Sequence, residues 1–330
     1  MAIVAPLVAR FVLVQCRTMT KTALVYTPLY LGHETGSHPE NPGRLLAVMS
    51  HLDREGLLVD RPIFEPEAAP FEAIAAVHDH RLIRAVLDAA EAGGRWLDGD
   101  TYVSPGSYDA AAFGSGGALV AVDAVLHDDP SRVFVLPRPP GHHATPGRAM
   151  GFCLFNHVAV AAQYALDQHG LERVAIIDWD VHHGNGTQDI FYDSGRVFYA
   201  SIHQSPLYPG TGQREERGEG EGTGTTLNVP LPPGADDARH LRVLDDEILP
   251  VVRAYRPQLI FVSAGFDAHH EDPLAMQRVT EDGFAAMTER VLRLAEECCG
   301  GRVVVLLEGG YNHDALARSV AATLRVLDET

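Results

Sequence analysis

The stretch RVAIIDWDVHHGNGTQ, residues 173–188, begins as a continuous apolar run and turns polar within a few positions. Its first half reads as a strand buried on both faces, because a strand with one wet face would alternate apolar and polar residues. Its second half sets Asp178, Asp180, His182 and His183 at the exit of that strand. Carboxylates and imidazoles packed so densely are costly unless cations or hydrogen-bond partners satisfy them. The polar exit therefore marks a site rather than a simple turn.

The same grammar repeats along the chain. Short runs rich in β-branched residues occur at 23–26, 132–137, 196–202, 226–231, 258–265 and 302–310, besides 173–178. Amphipathic segments lie between them, among others at 71–92, 107–127, 155–168, 239–254 and 281–297. Apolar strands alternating with helices predict an α/β fold, one mostly parallel sheet with helices on both faces. No internal repeat or Pro/Ser-rich linker divides the chain, so a single domain is expected. In such sheets ligands bind beyond the carboxyl ends of the strands. Polar clusters follow four of the runs at that same end: RPPGHH (138–143), DWDVHH (178–183), GFDAHH (265–270) and EGGY (308–311). Four loops are thus expected on one rim. The Gly-rich stretch 209–225 lacks G-K-[ST] and opens no helix, so it reads as a mobile loop beside the site and not as a phosphate cradle.

With 330 residues, 46 % of them hydrophobic, the chain can bury a large core. The net charge of −18 argues against a non-specific nucleic-acid binder, which needs a basic face, while a negative field favours cationic substrates. Of the 26 basic residues only Lys21 is lysine, a bias best read as compositional. Cys16, Cys153, Cys298 and Cys299 form no C-x-x-C pair, which fits a reducing, cytoplasmic setting; the vicinal pair is expected to close a helix. Residues 1–18 are apolar, but no basic residue precedes the run, Arg10 interrupts it and no A-x-A site follows. They are also too few to span a bilayer, and no other segment reads as membrane-spanning. They are expected to be a mis-assigned start or a disordered extension, with Met19 opening the folded domain, 19–330.

Asp180 and His182, two apart on extended backbone, point to the same side. With Asp267 from the loop after 258–265 they would make a site of two carboxylates and one imidazole with open positions, the donor set of a catalytic metal. His142 and His143, after a Pro-Pro-Gly turn, are candidates for acid–base work, with Asp178 and Asn185 as their orienting partners. A carboxylate behind one ring favours its cation and a neutral amide behind the other does not, so the two imidazoles would divide charge stabilisation from proton transfer. Tyr311, after a glycine pair, is placed to donate a hydrogen bond to a developing oxyanion.

These motifs, with HPENPGRL (38–45), RPPGHHA (138–144), GFCLFN (151–156), DWDVHHGNGTQ (178–188), YPGTG (208–212), SAGFDAH (263–269) and LEGGY (307–311), resemble the zinc-dependent histone deacetylase family of the arginase–deacetylase superfamily, in its class II branch and bacterial relatives. The resemblance spans roughly residues 20–325. It implies zinc on Asp180, His182 and Asp267, with iron(II) as the alternative. It implies His143 as general base and acid, His142 in an electrostatic role, Asp178 and Asn185 orienting them, and Tyr311 at the oxyanion. Phe152 and Tyr208 would wall an acyl-lysine tunnel, Gly151 would offer its carbonyl to the substrate amide, Asp100 would hold the substrate backbone, and Arg44 would line an acetate cavity. A potassium ion is implied at Asp178, Asp180, His182, Ser201 and Ile202, and a second near Phe191, Ser194 and Val197. Tyr208 stands where phenylalanine is usual, and His269 and His270 replace smaller residues; neither touches the core mechanism.

The reading is thus a metal-dependent amidohydrolase releasing an acetyl or other short acyl group from an amine, most readily an N-ε-acyl-lysine of a peptide or protein. The nearest alternative is an acetylpolyamine amidohydrolase. In its polyamine-selective members the family carries a rim glutamate where this chain has Leu274, which offers an apolar contact and no charge. An arginase-like ureohydrolase would want a further carboxylate where FDAHH stands, and a catalytically silent acyl-lysine binder would be expected to lack Tyr311 or a ligand. No nucleic-acid or membrane partner is expected, and the sequence is compatible with a homo-oligomer.

Overall fold

The structure is a computed structural model, and it describes residues 22–127 and 130–329. The expectation for residues 1–18 lies outside the described residues. In chain order the first elements are β1 (Thr22–Val25), α1 (Gly43–Arg54), β2 (Ile63–Phe64), α2 (Phe71–Ala75), α3 (His80–Glu91), β3 (Arg95–Trp96), β4 (Tyr102–Val103) and α4 (Ser107–Leu126). Then come β5 (Arg132–Val135), α5 (His157–Gln168), β6 (Val174–Asp178), α6 (Asn185–Phe191), β7 (Val197–Gln204) and β8 (Thr226–Leu231). The last are α7 (Asp237–Val243), α8 (Leu249–Tyr255), β9 (Ile260–Ala264), α9 (Glu281–Cys299), β10 (Val303–Leu307) and α10 (His313–Asp328).

Eight strands form one sheet in the order β2-β1-β5-β10-β9-β6-β7-β8, every neighbouring pair parallel. Only β3 and β4 pair antiparallel, as a short separate hairpin. This is the α/β architecture the strand pattern predicts. Alternate residues of each strand feed two cores: Ala175, Ile177, Val303, Val305 and Leu307 pack with α1, α7, α8, α9 and α10, while Val174, Ile176, Val304 and Leu306 pack with α2 to α5. Burial on both faces is what makes the strands read as unbroken apolar runs.

Where the elements depart from the expected bounds, tertiary contacts explain it. The helical segment 71–92 is two helices, because the backbone turns extended at Asp79 while its N–H bonds Pro146 O at 2.7 Å. The segment 239–254 begins at Asp237, capped by the Asp236 carboxylate, and widens into a π turn over Leu244–Ile248. Pro250 at the start of α8 has no N–H to donate, and the π turn absorbs the mismatch. Helix α9 ends at Cys299 with Gly300 in the left-handed C-cap, so the vicinal cysteines do close a helix. Helix α4 is long and apolar enough to cross a membrane, a feature the sequence reading passed over, yet 67 % of its most apolar stretch is buried inside the fold, as in a core helix.

The strands that carry the four polar clusters, β5, β10, β9 and β6, are consecutive in the sheet. Being parallel, they end on one edge. The rim predicted from four separate loops is therefore a contiguous surface at the middle of the sheet.

Candidate active site

Asp180 and His182 leave β6, and Asp267 leaves β9, the adjacent strand. Their ligand atoms lie within 4.8 Å of one another and all three residues are buried. His182 Nδ1 stands 3.1 Å from Asp180 Oδ1 and 3.2 Å from Asp267 Oδ2. The carboxylates are held from behind: Gly309 N–H donates to Asp180 Oδ2 at 2.8 Å, and Val181 N–H donates to Asp267 Oδ1 at 2.9 Å. Asp267 Oδ2 is fully buried and makes no hydrogen bond, His182 Nδ1 at 3.2 Å not being aligned for one. A Cβ on Gly309 would lie 2.0 Å from that atom and 2.6 Å from Asp180 Oδ2, so only glycine leaves the space beside them open. Burial, and then the Asp180 charge, push the Asp267 pKa up to about 7. Burial opposes a charge on His182, but the two carboxylates outweigh it and push its pKa up to about 10. Each tendency is what two carboxylates crowded into a buried pocket produce. An orphaned buried oxygen, two anchored carboxylates and an imidazole fit a divalent metal.

The histidine pair follows β5. The rings of His142 and His143 are 4.1 Å apart, and they have different partners. His142 Nδ1 is 3.0 Å from Asp178 Oδ2, which also accepts from Tyr199 O–H at 3.0 Å. His143 Nδ1 is 2.9 Å from Asn185 Oδ1. Burial disfavours charge on both. At His142, Asp180 and Asp178 overcome burial and push the pKa up to about 10, whereas at His143 burial and the charge of His142 hold the pKa well below the usual histidine range. The surroundings therefore favour the charged form at His142 and the neutral form at His143.

Tyr311 follows β10, half-buried, with its N–H donating to Asp272 Oδ2 at 2.7 Å. Burial raises its pKa well above the ordinary tyrosine value, so its hydroxyl stays a donor. Facing it edge-on at 5.7 Å is Phe152, whose φ of 70° is one of the few positive values on a non-glycine residue. The preceding Gly151, at φ 56°, could not carry a side chain: a Cβ would lie 2.5 Å from His143 Cδ2. This left-handed pair turns the Phe152 ring toward Tyr311 and onto His38, 4.5 Å away. Tyr208 packs edge-on to His143 at 5.2 Å and is 38 % exposed, consistent with a place at an entrance. Gly151 O accepts from Cys153 Sγ at 3.3 Å.

The remaining predicted residues fall around this core. Asp100 sits in the loop joining β3 to β4, accepting from Thr101 O–H at 3.1 Å, and Thr101 Oγ1 in turn accepts from Phe152 N–H at 3.2 Å. Leu274 is tied to the Tyr311 loop through Asp272, whose two oxygens accept from Leu274 N–H and Tyr311 N–H. Arg44 is fully buried and donates to Gly310 O (2.7 Å), Glu308 O (2.5 Å) and Glu40 Oε1 (3.1 Å), its guanidinium 5.1 Å from the centre of the Tyr311 ring. Ser201 pairs with Asp178 across β6 and β7, and Ile202 follows it, buried. Ser194 N–H donates to Phe191 O just before Val197 opens β7. The loop read as mobile, 209–225, is fastened at its start: Thr211 Oγ1 lies 2.7 Å from His183 Nδ1, and Gly212 O lies 3.0 Å from His203 Nε2.

Several contributors carried no separable signal in the sequence. Asp272, Tyr199, Glu40 and Arg138 each depend on a partner 20 or more residues away in the chain. Glu308, inside LEGGY, had one cue, a lone carboxylate ending an apolar strand.

A parallel α/β sheet with this constellation at its central strand ends defines a hydrolase with a candidate metal centre. Residues 38–327 match the Histone deacetylase domain family, and the chain belongs to it. It is 44 % identical over 294 residues to a "Probable deacetylase" of Archaeoglobus fulgidus, covering 88 % of this chain and 81 % of that one. It is 42 % identical over 276 residues to a "Histone deacetylase-like amidohydrolase" of Pseudomonas aeruginosa, covering 83 % and 73 %. The crystal structure of the HDA15 HD domain superposes with a TM-score of 0.89 at 36 % identity, covering 93 % of this chain and 87 % of that one. The protein is an enzyme of the deacetylase and amidohydrolase type.

Proposed function

We propose that the protein is a zinc-dependent deacylase that removes acetyl or another short acyl group from N-ε-acyl-lysine. The observation that carries this is the buried meeting of Asp180, His182 and Asp267, one carboxylate oxygen left without a hydrogen bond, beside two imidazoles of which one is paired with a carboxylate and the other with an amide. Asp180, His182 and Asp267 would hold the zinc, which when bound would supply a Lewis acid for the amide carbonyl and lower the pKa of a water. His143, neutral and oriented by Asn185, takes the water's proton and returns it to the leaving amine. His142, kept cationic by Asp178, stabilises negative charge as the carbonyl is attacked. Tyr311 donates its hydroxyl hydrogen to the developing oxyanion.

Phe152 and Tyr208 wall the acyl-lysine tunnel, Gly151 O receives the substrate amide, and Asp100 holds the substrate backbone at the rim. Tyr208 packed on His143, Gly151 against the same ring, Phe152 facing Tyr311, and Asp100 joined to Phe152 through Thr101 support the assignment. Leu274 gives the rim an apolar contact, which favours lysine in a peptide over a polyamine with a distant ammonium. Arg44 lines the acetate cavity beneath Tyr311. Asp178, Asp180, His182, Ser201 and Ile202 would hold a potassium ion, a reading that the Asp178–Ser201 register supports, and Phe191, Ser194 and Val197 would hold a second. The enzyme works in the cytoplasm, without nucleic-acid or membrane partners. The test is a panel of acetyl-, propionyl- and longer acyl-lysine peptides beside acetylspermidine and acetylputrescine, run on metal-defined enzyme. Acyl-lysine peptides are expected to have the higher kcat/KM; a tenfold or greater preference for an acetylpolyamine would replace this reading by the polyamine one.

A further inference from the structure

Glu308 is the last residue before the two glycines that lead to Tyr311, and it is buried to 1 % exposure. Its backbone holds β10 in place: its N–H donates to Ala264 O at 3.0 Å, and its carbonyl accepts from Arg44 at 2.5 Å. Its side chain reaches across to the loop after β5. Glu308 Oε2 accepts from Gly141 N–H at 2.7 Å and from His142 N–H at 3.2 Å, while Oε1 accepts from Ser263 O–H of β9 at 3.3 Å. Both amides lie in the turn that delivers His142 and His143. A buried carboxylate is costly, and burial pushes this one up to about 7, so it is not a feature that packing alone would select.

We infer that Glu308 is a positioning residue that sets the distance between the imidazole pair and the Tyr311 phenol. The proton-transfer groups and the oxyanion donor come from different strands, and Glu308 is bonded to the turn of the first pair while standing three residues before the second. It touches no reacting atom. What it contributes is reach: one oxygen placed to receive two consecutive N–H groups. That reach, and not the negative charge, is the property that matters. The inference rests on the proposed roles of His142, His143 and Tyr311.

Two substitutions separate reach from charge. Glu308→Gln keeps an oxygen at the position that receives both amides and lets the new amide donate to Ser263 Oγ, while losing the charge. Glu308→Asp keeps the charge but withdraws the acceptor by roughly 1.5 Å, one C–C bond. For Glu308→Gln, kcat on an acetyl-lysine peptide is expected within about 3-fold of the parent. For Glu308→Asp, kcat should fall ~10–100-fold with KM changed less than about 3-fold, since misplacement of catalytic groups by an ångström has that scale of effect. Backbone hydrogen exchange over residues 138–144, read by mass spectrometry at equal metal content, should accelerate in the Asp variant and not in the Gln variant. An active Asp variant with an inactive Gln variant, equal losses in both, or parent-like behaviour of both would overturn the inference. If the parent hydrolyses no acyl-lysine or acetylpolyamine, the proposed function fails, and the exchange measurement still decides the role of Glu308.

Discussion

Asp267 Oδ2 is the atom whose surroundings say most about the site: fully buried, without a hydrogen bond, and faced by a glycine. Gly309→Ala puts a methyl into the space between Asp267 and Asp180, so metal affinity should fall at least tenfold, read by metal titration; parent-like affinity would show that the space is not where the metal sits. Tyr311→Phe should lower kcat by roughly two to three orders of magnitude, the cost of losing one oxyanion donor, with a much smaller change in KM because that bond is strongest in the transition state. A variant with near-normal kcat would remove Tyr311 from the chemistry. At this scale the sequence was informative wherever an expensive side chain recurred at a strand end: Asp180, His182, Asp267 and the His142–His143 pair are such cases. It was silent where the role depends on a distant backbone, as for Asp272 under Tyr311 or the positive φ of Phe152.

Two buried histidines tie helices and loops to the turn after β5; the geometry of His78 requires a neutral ring, and burial favours one at His157. His78 has Thr145 O 2.9 Å from Nδ1 and receives Asn156 N–H on Nε2 at 2.8 Å; His157 has Pro139 O 3.0 Å from Nε2 and Ser115 Oγ 2.9 Å from Nδ1. Burial, the largest influence on both, lowers each pKa to about 4. The unfolded chain then binds more protons than the folded one between about pH 6.5 and 4, so stability rises with pH across that window and is lost as pH falls through it. Each histidine contributes a slope of about 1.4 kcal/mol per pH unit there. His78→Gln keeps a donor and an acceptor but does not titrate, so urea unfolding should show a slope shallower by about that amount; an unchanged slope would mean that His78 is not neutral in the fold. Elements of this kind were only half legible. The apolar runs located the main strands to within a few residues, since burial on both faces leaves an unmistakable pattern. The division of 71–92 into α2 and α3 was not visible, because it is imposed by the His78 and Asp79 contacts to the loop after β5.

Across the whole molecule, the strand order decides function, and it is the least readable feature. Periodicity says that strands exist and end in polar loops; it does not say that β5, β10, β9 and β6 are neighbours. Only the repeated placement of polar clusters at the same strand end hinted at a shared rim. The net charge of −18 acts at this scale too: it raises encounter rates for any cationic substrate, while discrimination needs a positioned group. The proposed function assigns that role to Leu274, tethered through Asp272 to the Tyr311 loop. Leu274→Glu should shift relative kcat/KM toward acetylpolyamines, and an unchanged ratio would place the selective contact elsewhere. The most direct test of the account is a zinc titration of the metal-stripped enzyme, followed by hydrolysis of an acetyl-lysine peptide. Turnover should be absent without metal and reach its plateau near one equivalent per chain. Full turnover in metal-free protein, or none at any zinc occupancy, would contradict a zinc-dependent acyl-lysine deacylase.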